Sequence, residues 1–482
     1  MTAERQYDVV VIGAGLGGLL AAAQFLKRGR RVAVVERLAH PGGRFTAKTF
    51  RGAQVSTGAV HMIPFGTNGE LAGMLRALGM PHRIHDAEVF ASFHLRGRQY
   101  VCRSLTQLAR VLGARQFFEL ARLGIPLFLR RPRPAERELS FRDWLLARGV
   151  SRERFPALYA YFERIAHFAL SADLADVSYS EIVAITRNML RYGPPGIVEG
   201  GCAALTGELE RRVRDGGGEL LLGHDVLAIE HDGERVTGVR VHEKRSGTET
   251  RLAAPLVISN IGPAMTGRLT SRCPEDAGSD RASAQLDAQI ETVMHRVASG
   301  LKVHLLSDVS VIPHKGIMYC LDTERIAGIV QPSNSDPRLA PPGKHLLITH
   351  QLMRSDDVNA EREAARADLR RLFGEDFGTR ITILTMSQYR GEWPVNRAVQ
   401  GEDVSPTTRL AGLYLVGDAV KPSGYLMVEG VAQSVYALLD ALDGPKATAH
   451  TGAHASTHTP PKPSKLRSVQ WLVRPPAPHR HL

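Results

Sequence analysis

The sequence predicts an α/β protein, and three observations support this fold class. A short apolar strand, a glycine-rich turn and a helix follow one another near the N-terminus, and a second apolar strand completes this βαβ unit within about thirty residues. Strands and helices then alternate along most of the remaining chain. A similar strand, glycine turn and helix recur at residues 412–434. We therefore expect two distant parts of the chain to build one site.

The first βαβ unit carries the spacing of a dinucleotide-binding loop. Gly13, Gly15 and Gly18 satisfy G-x-G-x-x-G between the strand "YDVVVI" and the helix "LLAAAQFLKRG". Gly13 is expected to form the tight turn, Gly15 to let a pyrophosphate approach the backbone, and Gly18 to let helix and strand pack. Glu36 ends the next strand and is expected to accept hydrogen bonds from an adenosine ribose.

A second glycine motif, Gly42, Gly43 and Arg44, follows Glu36 by six residues. Together with the first loop, it resembles the N-terminal signature of FAD-dependent oxidoreductases of the amine oxidase and phytoene desaturase superfamily. This resemblance implies a Rossmann-type, GR2-like FAD-binding domain with an interleaved sheet-plus-helix substrate domain. It also implies that FAD is the nucleotide and that the Gly-Gly-Arg element runs along its diphosphate and ribityl chain.

Two later blocks extend the resemblance in family order over residues 7–442. Val226 stands at the position whose backbone meets the adenine, and "LVISNIGP" resembles the strand and turn that follow, near Asn260 and Gly262. In the closing block the resemblance places Gly417 and Asp418 against the ribityl and phosphate portion. The helix that starts at Met427 and Val428 is expected to point its N–H groups at the flavin ring.

These blocks divide the chain into six predicted segments. The FAD-binding domain takes residues 1–100, 196–270 and 396–443, and the substrate domain takes a helical region at 101–195 and a sheet at 271–395. Residues 444–482 are rich in Pro, His, Thr, Ala and Lys and are predicted to be a disordered tail.

Five further residues are candidates for the reaction site. The resemblance implies that Lys302 assists proton removal or flavin reoxidation near flavin N5, and that His61 faces the substrate. An ordinary strand-end lysine and a structural histidine are the alternatives. Tyr389 and Trp393 precede the closing block where relatives place pocket aromatics. Tyr425 lies in "YLM", where carotenoid desaturases carry small residues, and this departure argues against a carotene substrate.

The length and the apolar fraction of the chain are in the ordinary range for a globular enzyme. The chain has 482 residues, 43% of them apolar, which is enough for one large domain or for two or three interleaved ones. No run reaches the roughly 18 uncharged apolar residues of a membrane-spanning helix. Cys102, Cys202, Cys273 and Cys320 show no C-x-x-C spacing, so neither a metal site nor a disulfide framework is predicted. Because the N-terminus lacks a signal-peptide pattern, a cytoplasmic location is expected.

The net charge of +12 is concentrated in two stretches. Residues 103–137 hold eight arginines against two glutamates, and residues 444–482 hold six basic residues and no acid. Residues 114–137 also mix Phe, Leu and Ile with Arg, which predicts either a peripheral contact with a membrane or an amphipathic helix packed on the core. Nucleic-acid binding is not predicted, because no recognition motif accompanies the charge.

The predicted activity is hydride transfer between a hydrophobic substrate, with isoprenoids as the leading class, and flavin N5. The implied relatives are desaturases, saturases and dehydrogenases of the phytoene desaturase and retinol saturase-like branch. Since no second G-x-G-x-x-G follows a later strand, the electrons are expected to pass to oxygen, a quinone or another carrier. A flavin amine oxidase that releases imine and hydrogen peroxide, and a non-catalytic protein that binds prenylated proteins or lipids, are the alternatives.

Overall fold

The structure is a computed structural model that describes residues 3–58, 60–128, 132–271, 298–389 and 404–444. Within these residues the strands are β1 (Ala3–Gln6), β2 (Val9–Ile12), β3 (Val32–Glu36), β4 (Ala47–Phe50), β5 (Ala53–Ser56), β6 (Met62–Ile63), β7 (Ile84–Asp86), β8 (Ala91–Leu95), β9 (Arg98–Cys102), β10 (Gly196–Val198), β11 (Glu219–Leu222), β12 (His224–His231), β13 (Val236–Glu243), β14 (Glu249–Ala253), β15 (Val257–Ser259), β16 (Gly300–Ser307), β17 (Ile317–Cys320), β18 (Gly328–Val330), β19 (His345–Leu352), β20 (Ile381–Tyr389) and β21 (Leu413–Leu415). The α-helices are α1 (Leu16–Lys27), α2 (Glu70–Ala77), α3 (Ala109–Leu112), α4 (Ala114–Phe128), α5 (Pro134–Arg137), α6 (Phe141–Leu146), α7 (Pro156–Ala169), α8 (Tyr179–Tyr192), α9 (Gly201–Asp215), α10 (Pro263–Thr270), α11 (Val358–Phe373) and α12 (Met427–Asp443).

A five-stranded parallel sheet forms the first layer and confirms the predicted α/β class. Its strand order is β11-β3-β2-β15-β21, and every neighbouring pair is parallel. The strands β2 and β3 are buried along their whole length, as their continuous Val and Ile runs predict for a sheet covered on both faces. Helix α1 packs against β2 and β3 and also contacts α9 and α12. Strands from residues 9–36, 219–222, 257–259 and 413–415 therefore meet in one sheet.

A seven-stranded sheet forms the second large layer, with the order β20-β16-β19-β18-β17-β8-β9. Its long central strands β16 and β19 are antiparallel over eight residue pairs, from Gly300 opposite Leu352 to Ser307 opposite His345. One side of the sheet packs on α11 and the other faces α7. The predicted boundary at residue 100 differs from this arrangement, because β8 and β9 pair with β17 and belong to this sheet rather than to the nucleotide-binding layer.

A helical region follows β9 and precedes β10, and it packs on the seven-stranded sheet through α7. Its core is aromatic: Trp144 stacks on Tyr179 with ring centroids 4.3 Å apart, and Phe141 stacks on Trp144 at 5.5 Å. Tyr179 also donates a hydrogen bond to the carbonyl of Pro126 in α4 at 3.2 Å. No helix among the described residues is long and apolar enough to cross a bilayer. Trp393, Arg130, Arg131, Cys273 and the predicted tail beyond residue 444 lie outside the described residues.

Candidate functional site

A cavity of about 690 Å³ opens at the carboxyl ends of the five parallel strands. Ligands in open α/β sheets bind at this edge, because the loops that follow parallel strands meet there. Residues predicted to hold the nucleotide line the cavity from both halves of the chain: Gly13, Gly15, Glu36, Gly42, Gly43, Arg44, Val226, Gly417, Asp418, Met427 and Val428. The structure therefore brings the N-terminal and C-terminal motifs together around one space.

The N-terminus of α1 points its free backbone N–H groups into this cavity. Its N-cap is Gly15, which has no side chain to accept a hydrogen bond from the first turn, and the first turn holds no acidic residue. The preceding Gly13 has a φ of +92°, a conformation that side chains rarely adopt. An anion such as a diphosphate would satisfy both the free N–H groups and the positive end of the helix dipole.

Gly18 lets α1 pack closely on β2 and is not among the residues that line the cavity. This is the role that the sequence predicts for it. A Cβ atom at this position would lie 2.0 Å from the carbonyl oxygen of Gly13 and 3.2 Å from Val11. The helix α1 therefore rests on β2 at a distance that only glycine allows.

Glu36 is buried beside the loop, and its carboxylate already orders two backbone segments. Oε2 accepts a hydrogen bond from the N–H of Ala14 at 2.9 Å, and Oε1 accepts one from the N–H of Leu38 at 2.9 Å. Since each carboxylate oxygen has two lone pairs, Glu36 can still accept hydrogen bonds from a ribose.

Asn260, which follows β15, lines the cavity. The resemblance named this position, but its contacts with the glycines of both motifs appear only in the structure. Its amide Nδ2 lies 3.4 Å from the carbonyl oxygen of Gly13. A Cβ atom at Gly15 would approach Nδ2 to 2.8 Å, and Cβ atoms at Gly17 and Gly417 would approach Oδ1 to 2.6 and 2.8 Å. Three glycines from both motifs therefore make room for one amide.

Asp418 lines the cavity and lies between two cations. Arg44 Nη2 is 3.3 Å from Asp418 Oδ2, and Lys421 Nζ is 3.7 Å from Oδ1. Lys421 is buried and also donates a hydrogen bond to the carbonyl of Asp418 at 2.9 Å. These contacts hold Asp418 at the cavity wall, and its hydrogen bonds to a ribityl chain remain a prediction.

Glu429 holds the start of α12 in place, a role that sequence reasoning missed. It is fully buried, and its carboxylate accepts hydrogen bonds from the N–H groups of Leu71 at 2.9 Å and Phe65 at 3.3 Å. Burial raises the pKa of Glu429 to about 7. Because Leu71 lies in the first turn of α2, this carboxylate caps α2 and ties it to the helix whose first residues, Met427 and Val428, line the cavity.

One face of the seven-stranded sheet carries a group of polar side chains. Lys302 lies directly opposite His350 on β19 and Ser387 on β20, so their side chains share a face. His304 and Tyr389 are on the same face, two residues along their strands. We call these five residues the polar sheet face. Two of them, Lys302 and His304, hydrogen-bond to Ser56. Ser56 is two residues before Gly58, which lines the cavity.

Lys302 is fully buried on this face, where its Nζ donates a hydrogen bond to the carbonyl of Ser56 at 3.2 Å. Burial lowers the pKa of Lys302 from 10.5 to about 7. A lysine with this pKa can accept or release a proton near neutral pH. The catalytic role of Lys302 remains a prediction, and this placement is compatible with it.

His61 has a different environment from the one predicted. It is fully buried, its Nδ1 accepts a hydrogen bond from the N–H of Cys202 at 3.0 Å, and its Nε2 donates one to the carbonyl of Gln54 at 3.0 Å. Burial lowers the pKa of His61 to about 4. Both ring nitrogens therefore bind backbone groups, and the placement supports the structural alternative rather than contact with a substrate.

Replacing His61 by alanine is expected to lower the free energy of unfolding by roughly 3 kcal/mol, because one buried N–H and one buried carbonyl lose their partners. Wild-type stability should also fall as the pH drops from 6.5 towards 4, where the unfolded chain binds a proton that folded His61 excludes. Urea titrations across this pH range measure both effects. His242→Ala, on the partly exposed strand β13, is the control, and an equal loss in both variants would contradict the structural role.

Tyr425 and Tyr389 lie in separate clusters. Tyr425 packs against Phe65 and Tyr192, with ring centroids 6.2 and 6.4 Å away, and is not one of the residues that line the cavity. Tyr389 ends β20 on the polar sheet face. The predicted substrate role of both residues remains a prediction.

The residues around the cavity fit FAD. The glycine loop and the α1 N-terminus suit a diphosphate, and Glu36 suits a ribose. Val226 on β12 also lines the cavity, and the resemblance expects an adenine beside it. Arg44, Asp418 and the start of α12 line the same cavity and would hold the ribityl chain and the flavin ring.

Comparisons with known proteins agree with this geometry. A family model described as flavin containing amine oxidoreductase matches residues 16–435. The chain is 32% identical to an uncharacterised protein of Methanocaldococcus jannaschii over 426 residues, which is 88% of this chain and 96% of that protein. It is 27% identical to a phytoene dehydrogenase of Streptomyces griseus, over 70% of this chain and 71% of the relative.

A solved structure shows the same architecture. An oxidoreductase from Methanosarcina mazei superposes with a TM-score of 0.79 at 33% sequence identity, covering 90% of this chain and 100% of the other. The similarity thus extends over both sheets and the helical region.

Proposed function

The chain belongs to the flavin containing amine oxidoreductase family and is an FAD-dependent oxidoreductase, and from this premise we propose that it oxidises a hydrophobic substrate, with isoprenoids as the leading class. Bound FAD supplies a hydride acceptor at N5. The observation that carries the proposal is the cavity at the strand ends, which the polar sheet face approaches through Ser56. The similarity to a phytoene dehydrogenase supports the hydrophobic class.

In this proposal the protein positions the reactants and moves protons. The N–H groups of α1 would bind the diphosphate in the middle of the cofactor and those of α12 its flavin ring, while Arg44 and Lys421 hold Asp418, which would accept hydrogen bonds from the ribityl hydroxyl groups. Lys302 takes up or releases a proton on the polar sheet face. We further propose that the electrons leave to oxygen or a quinone.

An amine substrate is the second candidate, and the buried Lys302 favours it. A neutral lysine near the flavin can accept the proton that an amine loses on oxidation. Imine and hydrogen peroxide would then be the products when oxygen is the acceptor.

Anaerobic reduction of the bound flavin separates the two candidates. The purified protein is mixed with a panel of primary and secondary amines and with a panel of prenyl lipids and polyenes, and the absorbance of the oxidised flavin is followed. We expect prenyl compounds to bleach the flavin. Bleaching by amines alone would contradict the hydrophobic class and establish the second candidate.

We also propose that α4 contacts a membrane surface peripherally. Phe118 and Ile125 are seven residues apart on its outer face and are 75% and 56% exposed, while Leu120, Leu123 and Leu127 pack inwards. Arg115 and Arg122 each precede one of the two exposed apolar residues by three positions, so basic and apolar groups share the outer face. Such a face suits anionic lipids.

Flotation with lipid vesicles tests this contact. The wild-type protein is expected to float with vesicles that contain phosphatidylglycerol. In the double variant Phe118→Ser, Ile125→Ser the fraction of protein that floats should be at least tenfold lower. Phe50→Ser, which changes an exposed phenylalanine on β4, is the matched control. Equal flotation of both variants would contradict the contact.

A further inference from the structure

Ser171 and two residues of the polar sheet face, His350 and Tyr389, form a hydrogen-bonded group that the mechanism above does not use. The hydroxyl of Ser171 lies 2.7 Å from the hydroxyl of Tyr389 and 3.4 Å from Nε2 of His350. Nε2 of His350 also bonds the Tyr389 hydroxyl. Ser171 and His350 are 2% and 5% exposed, whereas Tyr389 is only partly buried. We call these residues the Ser-His-Tyr triad.

The surrounding backbone is shaped to admit the triad. Ser171, just after α7, has a φ of +53°, a conformation that costs energy in any residue with a side chain. On β16, a Cβ atom at Gly300 would lie 2.1 Å from the Tyr389 hydroxyl oxygen, so only glycine leaves room for that hydroxyl. The tyrosine ring stacks on the imidazole of His350 with centroids 5.9 Å apart. Strain and a tailored gap at one polar group are typical of functional positions.

The triad lies close to charged residues of the cofactor cavity and beside buried aromatic carbon. The charges of Arg44 and Asp418, which line the cofactor cavity, both act on Tyr389. On its other side, Phe168 meets the ring of His350 edge-on at 5.9 Å. A molecule that reaches the triad would meet the Tyr389 hydroxyl, because Tyr389 is the member of the triad that is only partly buried.

Both titratable members stay uncharged near neutral pH. Burial, together with the charge of Lys302, lowers the pKa of His350 to about 3, and burial raises the pKa of Tyr389. The triad therefore offers hydrogen bonds rather than charge. A phenolic hydroxyl both donates and accepts, so it can bind a ligand group in addition to its two neighbours.

We infer that the Ser-His-Tyr triad binds a neutral oxygen-bearing group, a hydroxyl or a carbonyl, at one end of the substrate. The substrate is then an amphiphile with a hydrocarbon body and one polar end. A pure hydrocarbon polyene is disfavoured because it offers no group for the further hydrogen bond that the Tyr389 hydroxyl can make beyond those to Ser171 and His350. This inference rests on the proposed hydrophobic substrate class and specifies it further.

Binding of two probes with similar carbon skeletons tests the inference without turnover. Farnesol and farnesene differ by the presence of a hydroxyl, and their binding to the FAD-loaded protein is followed through the absorbance of the oxidised flavin in the same detergent. The wild type is expected to bind farnesol at least tenfold more tightly than farnesene. In Tyr389→Phe the two affinities should agree within about twofold, through weaker farnesol binding, because only the hydroxyl is lost.

Tyr100→Phe is the matched control, since Tyr100 lies on β9 at the opposite edge of the same sheet. It should keep the wild-type preference, and so should any variant that merely loosens the sheet. Equal wild-type affinities for the two probes, or unchanged farnesol binding in Tyr389→Phe, would overturn the inference. If neither probe binds at all, the hydrophobic substrate class on which the inference rests is overturned instead, whereas binding of farnesol alone supports the inference.

Discussion

Replacing Gly18 by alanine is expected to give a protein that does not retain FAD and whose free energy of unfolding falls by about 3 kcal/mol or more. The new methyl group would lie 2.0 Å from the carbonyl oxygen of Gly13. That oxygen belongs to the backbone of the nucleotide loop and cannot move aside as a flexible side chain would. Helix α1 must therefore shift away from β2, and its N–H groups leave the diphosphate position.

The measurements are the flavin-to-protein absorbance ratio after purification and urea unfolding of the apo protein. Gly207→Ala is the matched control, because this glycine lies inside α9 and a methyl group there meets no atom within 4 Å. The control should keep FAD and gain roughly 0.5–1 kcal/mol from the better helix propensity of alanine. Full flavin content in Gly18→Ala would show that the loop does not depend on this close approach.

Replacing Lys302 by methionine is expected to change rate and stability in opposite directions. The rate of flavin reduction or reoxidation should fall roughly a hundredfold, which is the usual size of a lost proton-transfer group. The free energy of unfolding should rise by roughly 2 to 3 kcal/mol at pH 8, because a buried lysine must give up a proton that it keeps in the unfolded chain. The fully buried position and the pKa lowered from 10.5 to about 7 are the basis for both expectations.

The pH dependence separates a catalytic from a structural lysine. The unfolded chain binds one more proton than the folded chain between pH 7 and 10.5, so the stability gain of the variant should be largest below pH 7 and disappear above pH 10.5. In the wild type the rate should change through pH 7, and this inflection should be absent in Lys302→Met. Lys48→Met, at an exposed position on β4, is the control. A stabilised variant with unchanged rates would remove Lys302 from the mechanism.

The amino-acid sequence determined the parts of this protein that depend on local spacing. The loop from Gly13 to Gly18, the acid at Glu36 and the pair Gly417 and Asp418 each sit at a strand end, and strand ends are readable from apolar runs followed by glycine. Motif order then indicated that the two halves share one ligand. The cavity residues follow these predictions because a parallel sheet brings its carboxyl ends to one edge whatever the distance along the chain.

Only the tertiary structure decided the features that depend on contacts between distant segments. Asn260 fills the space that glycines of both motifs leave, Glu429 caps a helix more than 350 residues away in sequence, and His61 is bound by backbone on both sides. None of these has a spacing signature, because each partner comes from another element. The Ser-His-Tyr triad is the same kind of feature. Ser171 follows α7, whereas His350 lies on β19 and Tyr389 on β20. The three residues meet because the helical region packs on the seven-stranded sheet.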